Sequence, residues 1–253
     1  MEQTHLLRKD WIGGNSMFIP KGRKNLPTAL IGMGRHLIYS EGIKTEPYYI
    51  ESIKESIANV NLCDINDIEI VPVNKDSESY NTLGLVDYAL NDVKKRLKLK
   101  EVIDHVWFFF DKDSFPKDKF DNAHNKIKTL NNSDEENSYG YFYNKDDNIS
   151  YHSCATNEAF ELWYCLYFDN LDSALNREQY IKHLNNIKQL KKIGFKYDKT
   201  MSHLHQILTE NGGKIELAIR KAKDLCKKNK LANPSCYVYE FAEFIKPYLK
   251  NNS

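Results

Sequence analysis

Apolar and polar positions alternate in blocks along this chain, and block length and spacing separate strands from helices. Residues 35–40 (RHLIYS) form an apolar run of strand length. Thr45 can then cap a helix with Pro47 in its first turn, and Tyr49, Ile53, Ile57 and Val60 fall on one face. Residues 68–73 (IEIVPV) read as a second strand. Leu83, Val86, Leu90, Val93 and Leu97 recur at three-four spacing, which predicts an amphipathic helix. Residues 105–110 (HVWFFF) are apolar almost throughout and flanked by acids, the pattern of a central strand buried on both faces. A helix over 117–130, a polar loop over 131–138, a fourth strand over 148–154 and a buried helix over 158–168 follow. This βαβαβα order predicts an α/β fold, a parallel sheet covered by helices on both faces.

The rest of the chain is helical in pattern. Tyr180, Leu184, Ile187 and Leu190 make one stripe; Ile215, Ala218, Ala222 and Leu225 make a second. Val238, Phe241, Ile245 and Leu249 make a third, opened by Asn233-Pro234-Ser235. Three regions result: an irregular N-terminal arm over 1–30, an α/β domain over 31–172 and a helical C-terminal subdomain over 173–253. The arm carries Lys21, Arg23 and Lys24, which read either as a solvated tail or as a contact for nucleic acid or a partner.

Composition narrows the classes. With 36 basic and 35 acidic residues the net charge is +1, which argues against coating nucleic acid by bulk charge but leaves room for a local basic face. No apolar run approaches the ~18–20 residues of a membrane span. The first residues lack the apolar stretch of a secretory signal. Five scattered cysteines with no CxxC pair argue against a disulfide framework, so a cytoplasmic setting is expected.

Chemistry enters at the strand ends, because ligands of parallel α/β sheets bind beyond the carboxyl ends of the strands. Strand one runs into Ser40-Glu41-Gly42 and strand three into Asp111-Lys112-Asp113. Alternation along an extended backbone sends Asp111 and Asp113 to the same side. If the two strands are neighbours, three carboxylates meet at one edge, the hard oxygen donors that Mg²⁺ or Mn²⁺ takes. The alternative is a set of solvated turn residues, since an Asp-x-Asp alone is a weak signal. Asp64-Ile-Asn-Asp67 is of that weaker kind, a loop with a turn or cap role. Lys44 and Thr45 stand at a helix mouth whose dipole favours phosphate. Lys44 is either a phosphate contact or an exposed lysine without a role.

Three stretches together resemble one family. Residues 39–49 (YSEGIKTEPYY) are similar to the EGxKTExxY signature of RloB-like proteins, which is also found in the AbiL abortive-infection system. Residues 106–113 (VWFFFDKD) resemble the family's VWxVFDxD strand, and residues 157–168 (NEAFELWYCLYF) its SNPxFExWLLxHF helix. The resemblance implies a Toprim-like fold, shared with the nuclease domain of overcoming-lysogenization-defect proteins. That fold carries an acid after its first strand and an Asp-x-Asp after its third. Carried over, Glu41 is the first acid, Asp111 and Asp113 are the pair, and Glu161 is a further acid. The usual Ser-Asn-Pro is replaced by Thr156-Asn157-Glu158-Ala159, which leaves the aim of Glu161 open.

The function so implied is an Mg²⁺- or Mn²⁺-dependent nuclease, the effector of an antiphage system with a separate ATPase subunit. Homo-oligomerisation is compatible with it. An analogous Toprim arrangement in the effector of the PARIS antiphage system makes tRNA as reasonable a substrate as DNA. In two-metal terms, Asp111 and Asp113 would hold one ion, and Glu41 with Glu161 a second that activates water. Glu41 acting directly as general base is the alternative. The rival class is a non-catalytic module that binds the ATPase or a phage trigger.

Other chemistries find less support. Gly32-Met33-Gly34 precedes a strand and lacks a third glycine, so it is no dinucleotide fingerprint, and no GxxxxGK[ST] is present. His203-Leu-His205 has no matching ligand cluster, and the closeness of His152 to Cys154 reads as incidental. Trp107, Trp163 and Phe108 to Phe110 read as core rather than base-stacking platforms. A topoisomerase would need additional gating domains, for which 253 residues are expected to leave no room, and a primase is disfavoured, with no zinc module or second template-binding domain visible.

Overall fold

The computed structural model describes residues 32–57, 64–73, 82–113 and 117–250. The expected N-terminal arm, Val60 and Cys63 lie outside them. Among the described residues, β1 (His36–Ser40), β2 (Ile68–Val71), β3 (His105–Asp111), β4 (Ser150–Asn157) and β5 (Ser235–Cys236) form one sheet in the order β2-β1-β3-β4-β5. The first four are parallel and β5 is antiparallel to β4, so the α/β fold expected from the pattern is present.

The helices are α1 (Thr45–Ser56), α2 (Thr82–Lys98), α3 (Lys117–Leu130), α4 (Glu161–Leu166) and α5 (Arg177–Asn186). They continue with α6 (Lys188–Lys192), α7 (Leu204–Glu210), α8 (Ile215–Asn229) and α9 (Val238–Ile245). No helix among the described residues is long and apolar enough to cross a membrane.

β3 is buried along its whole length, because both faces of the sheet are covered. Val106, Phe108 and Phe110 join one core with Leu85, Val86, Ala89 and Val93 of α2 and Phe120, Ala123 and Ile127 of α3. Trp107 and Phe109 point the other way and meet Phe241 of α9 edge-on, at ring distances of 5.2 and 5.5 Å. Trp107, Trp163 and Phe108 to Phe110 are fully buried, as a core reading requires. At the β2 edge, Arg96 gathers Glu69 and Asp92 at 2.7 Å and Glu101 at 3.1 Å.

The helices after β4 pack back onto this frame. The Tyr49 hydroxyl of α1 bonds the Tyr167 hydroxyl at 2.8 Å, and Tyr167 bonds His205 Nδ1 of α7 at 2.9 Å. Ser52 Oγ accepts from the His205 amide at 2.7 Å.

Several boundaries differ from the sequence pattern. β4 begins and ends later than 148–154, because the β3 ladder continues to Thr156 opposite Asp111. The expected helix over 158–168 is reduced to α4, because residues 158–160 turn the chain out of β4 before the helix begins at Glu161. Thr45 is the first helical residue instead of the cap; Lys44 occupies the cap position without a side-chain bond. α1 stops at Ser56, and Ile57 bridges to Leu249 instead of extending the helical face. Ser235, expected to open the last helix, lies in β5 beside Asn157.

Candidate active site

Backbone hydrogen bonds carry the acids past the strand ends. The Glu41 amide donates to the Phe109 carbonyl at 2.9 Å, prolonging the β1–β3 ladder by one residue. The Lys112 and Asp113 amides donate to Thr156 and Glu158 carbonyls at 2.9 and 3.0 Å, prolonging β3–β4 likewise. β1 and β3 are neighbours, so Glu41, Asp111 and Asp113 come to one edge, in an open cleft of about 380 Å³. Lys44 and Thr45 line the same cleft, with Lys44 exposed.

Two further acids complete the group. Glu161 opens α4 and is 1% exposed, so the changed loop before it still aims its carboxylate inward. Glu46 sits in the first turn of α1 and is 4% exposed. Gly42 makes room for it: a Cβ there would stand 2.0 Å from Glu46 Oε2. Glu46 belongs to the Glu-Gly-x-Lys-Thr-Glu stretch, whose second glutamate was the available signal for it.

One guanidinium answers these carboxylates. Arg177 Nη2 donates to Asp111 Oδ2 at 2.8 Å and Nη1 to Asp113 Oδ2 at 2.7 Å. Its Nε stands 3.4 Å from Glu161 Oε2. Arg177 is the first residue of α5, where Asn176 and Gln179 form a reciprocal capping box. The Thr156 hydroxyl donates to Asp111 Oδ1, and the Tyr197 hydroxyl to Glu161 Oε1 at 3.2 Å. Lys199 lines the cleft without an ion pair among the described residues. Arg177, Tyr197 and Lys199 lie beyond the motifs read from the sequence, and nothing in local spacing ties them to Glu41; Thr156 stands in the stretch that replaces the usual Ser-Asn-Pro, which gave no sign of its bond to Asp111.

The balance is strongly negative and partly dry. Neither carboxylate oxygen of Glu41 has a hydrogen-bond partner, although both are buried. Burial first, and the charge of Asp111 second, push the Glu41 carboxyl up to about 8. Burial and the neighbouring Glu161 raise Asp111 to about 7; burial and Asp111 raise Glu46 as well. Burial works against the Arg177 cation, but Asp111, Glu161 and Asp113 outweigh it and hold its proton more tightly.

These donors fit a divalent cation in kind: hard oxygens, three of them, both of Glu41 and Oε2 of Glu161, buried without a hydrogen-bond partner. They are not yet gathered about one point. Among the described residues no three His, Cys, Asp or Glu side chains are placed to share a metal ion.

The other flagged residues go elsewhere. His203 Nδ1 bonds Glu55 at 2.6 Å while His205 faces Tyr167, so the two do not converge. His152 Nε2 bonds His105 Nδ1 at 3.1 Å, and burial holds the Cys154 thiol well above its usual range. Asp64 Oδ1 accepts from the Asn66 amide at 2.8 Å, a turn role. A second cavity, about 210 Å³, is lined by Leu166, Asp172 and Lys221, whose ammonium donates to the Leu166 carbonyl.

Fold and site together define an α/β protein with an acidic cleft at the carboxyl edge of a mostly parallel sheet. The chain belongs to the RloB-like family, whose model matches residues 36–245. It matches no curated protein and no solved structure.

Proposed function

We propose that the cleft is the active site of a metal-dependent nuclease of Toprim type. The observation that carries this reading is the buried, unpaired carboxylate of Glu41 beside Asp111 at the carboxyl edge of β1 and β3. A buried charge with no partner is costly, and such costs are kept where a ligand relieves them. Asp111, Asp113, Glu41 and Glu161 would hold Mg²⁺ or Mn²⁺. When bound, the ion supplies Lewis-acid polarisation of a phosphoryl oxygen and a more acidic water.

The chain's own residues do the rest. Thr156 and Tyr197 orient Asp111 and Glu161 by donating to one oxygen of each. Lys44 and Lys199, on the cleft wall, are placed to neutralise a nucleic-acid backbone entering it. Glu41, once ionised, would take a proton from an incoming nucleophile, and its raised proton affinity makes that carboxylate a stronger base than usual. Within the family we assign the protein the role of effector in an antiphage system, acting with a separate ATPase subunit on RNA, tRNA included, or DNA.

A non-catalytic binding module is the second reading, favoured by one observation: Arg177 already satisfies Asp111 and Asp113. Incubating the full chain with tRNA, single-stranded RNA and DNA in Mg²⁺ or Mn²⁺ separates the two. Cleavage that Glu41→Gln and Asp111→Asn each reduce by about 10²-fold or more supports the nuclease. Folded wild type that never cleaves yet protects against phage, or protection that survives both substitutions, gives the case to the binding module; cleavage that survives both rules this cleft out as the active site.

A further inference from the structure

Arg177 stands where a metal ion would have to act. Its guanidinium engages Asp111 at 2.8 Å, Asp113 at 2.7 Å and Glu161 at 3.4 Å, three of the four acids assigned above to a divalent cation. A planar fork spreads its acceptors along its edges, whereas a metal ion draws oxygens toward a point. The spread arrangement accounts for an acid-rich cleft in which no three acids share a metal-binding point. Glu41 receives none of the fork's hydrogen bonds and stays unpaired.

The surroundings let the side chain move while its helix stays. The start of α5 is fixed by the Asn176–Gln179 capping box, and Tyr180 one turn on is fully buried, its hydroxyl donating to Asn233 Oδ1 at 3.1 Å. The Arg177 side chain keeps 26% of its surface in the open cleft, and its Nε has no hydrogen-bond acceptor.

We propose that Arg177 is a displaceable counter-cation: it neutralises Asp111 and Asp113 in the metal-free protein and gives them up when a divalent ion binds. This rests on the metal reading of the site. In this role Arg177 is a positioning residue, keeping the acids close and charge-balanced until metal arrives.

Calorimetric titration of Mn²⁺ into the metal-free full chain tests it, with circular dichroism confirming that each variant is folded. Arg177→Ala should bind Mn²⁺ about tenfold more tightly than wild type, the usual scale of coupling between two competing ligands. Lys199→Ala removes the same charge from the same cleft without touching an acid, and should shift affinity by less than about threefold. Arg177→Lys keeps the charge, loses the fork, and should fall between wild type and Arg177→Ala; it serves if Arg177→Ala fails to fold. The inference is overturned if the folded Arg177 variants bind Mn²⁺ no more tightly than wild type. It is overturned equally if Lys199→Ala matches Arg177→Ala, since charge alone would then suffice. Absence of Mn²⁺ binding in every protein overturns the metal reading itself, whereas binding without the Arg177 effect leaves that reading standing.

Discussion

One face of the sheet carries two buried clusters of titratable groups, at opposite ends of β3. His105 and Asp111 mark the ends, about 20 Å apart at the rise of a strand. At the amino end, His36 Nε2 donates to the Met33 carbonyl and its Nδ1 accepts from Trp107 Nε1, both at 3.0 Å. That pairing fixes a neutral ring. His105 stacks on His36 at 4.9 Å, and His152 stacks on Trp107 at 3.8 Å. His105 Nδ1 and His152 Nε2 share one hydrogen bond, leaving His105 Nε2 as the unpaired atom of the group.

The carboxyl end is built the opposite way. Of the five acids there, Asp111, Asp113 and Glu161 share the Arg177 guanidinium, Glu41 has two orphan oxygens, and the carboxyls of Glu41 and Asp111 are pushed up to about 8 and about 7. A cluster that satisfies nearly all its polar atoms from within is explained by packing. One that leaves charge buried and unpaired is explained by something it binds. On the proposed reading, the same sheet face separates structure from function along a single strand.

The largest effect expected from this contrast comes from the amino end. Trp107→Ala removes a fully buried ring and the donor to His36, and should destabilise the protein by about 3–5 kcal/mol in urea unfolding. Mn²⁺ affinity of the folded fraction should be unchanged. A loss of metal binding without a loss of stability would break the division between the two ends.

Acid pH gives the next largest effect. Burial, outweighing the Met33 hydrogen bond, lowers His36 to about 4, and His105 and His152 are also held well below the usual value of 6.5. Arg35 beside His36 and Lys128 near His152 add repulsion to any charge there. The unfolded chain therefore binds protons that the folded chain refuses, and stability falls as pH drops from about 6.5 toward 4. For His36 alone the loss is of order 2–3 kcal/mol by pH 4. The metal-free acidic end has the opposite sign: folded carboxyls with raised affinity for protons lose stability as pH rises from the ordinary carboxylate range toward 8. Denaturant titrations across pH 4–8 in chelator should show a maximum between these limbs, and Glu41→Gln should flatten only the alkaline limb.

How much of this was legible beforehand follows from the range of each interaction. The apolar run at 105–110 marked a doubly buried strand, and glutamate and aspartate directly after the apolar runs at 35–40 and 105–110 marked the edge at which parallel α/β sheets take their ligands. Those are local signals. Arg177 lies far along the chain from Asp111, in an ordinary polar helix start, and only packing of the later helices brings it to the cleft. Tyr197 and Lys199 sit in a loop with no periodicity to interpret. Ser235–Cys236 is too short to stand out as a strand, and gains its partner only because β4 runs on to Asn157. Glu46 is legible in part: it stands in the Glu-Gly-x-Lys-Thr-Glu stretch, but the room that Gly42 leaves for its carboxylate is set by the tertiary fold.

The smallest effect is the most direct test of the central claim, that the acidic end is kept for a divalent cation at a cost in stability. It is the melting temperature of wild type and Glu41→Gln, each in chelator and in excess Mn²⁺. In chelator, Glu41→Gln should melt about 2–4 °C above wild type, the shift that ~1 kcal/mol gives in a domain of this size. Mn²⁺ should raise wild type and raise Glu41→Gln less, so that the order of the two narrows or inverts. A Glu41→Gln protein that melts below wild type in chelator, with wild type indifferent to Mn²⁺, would contradict the account.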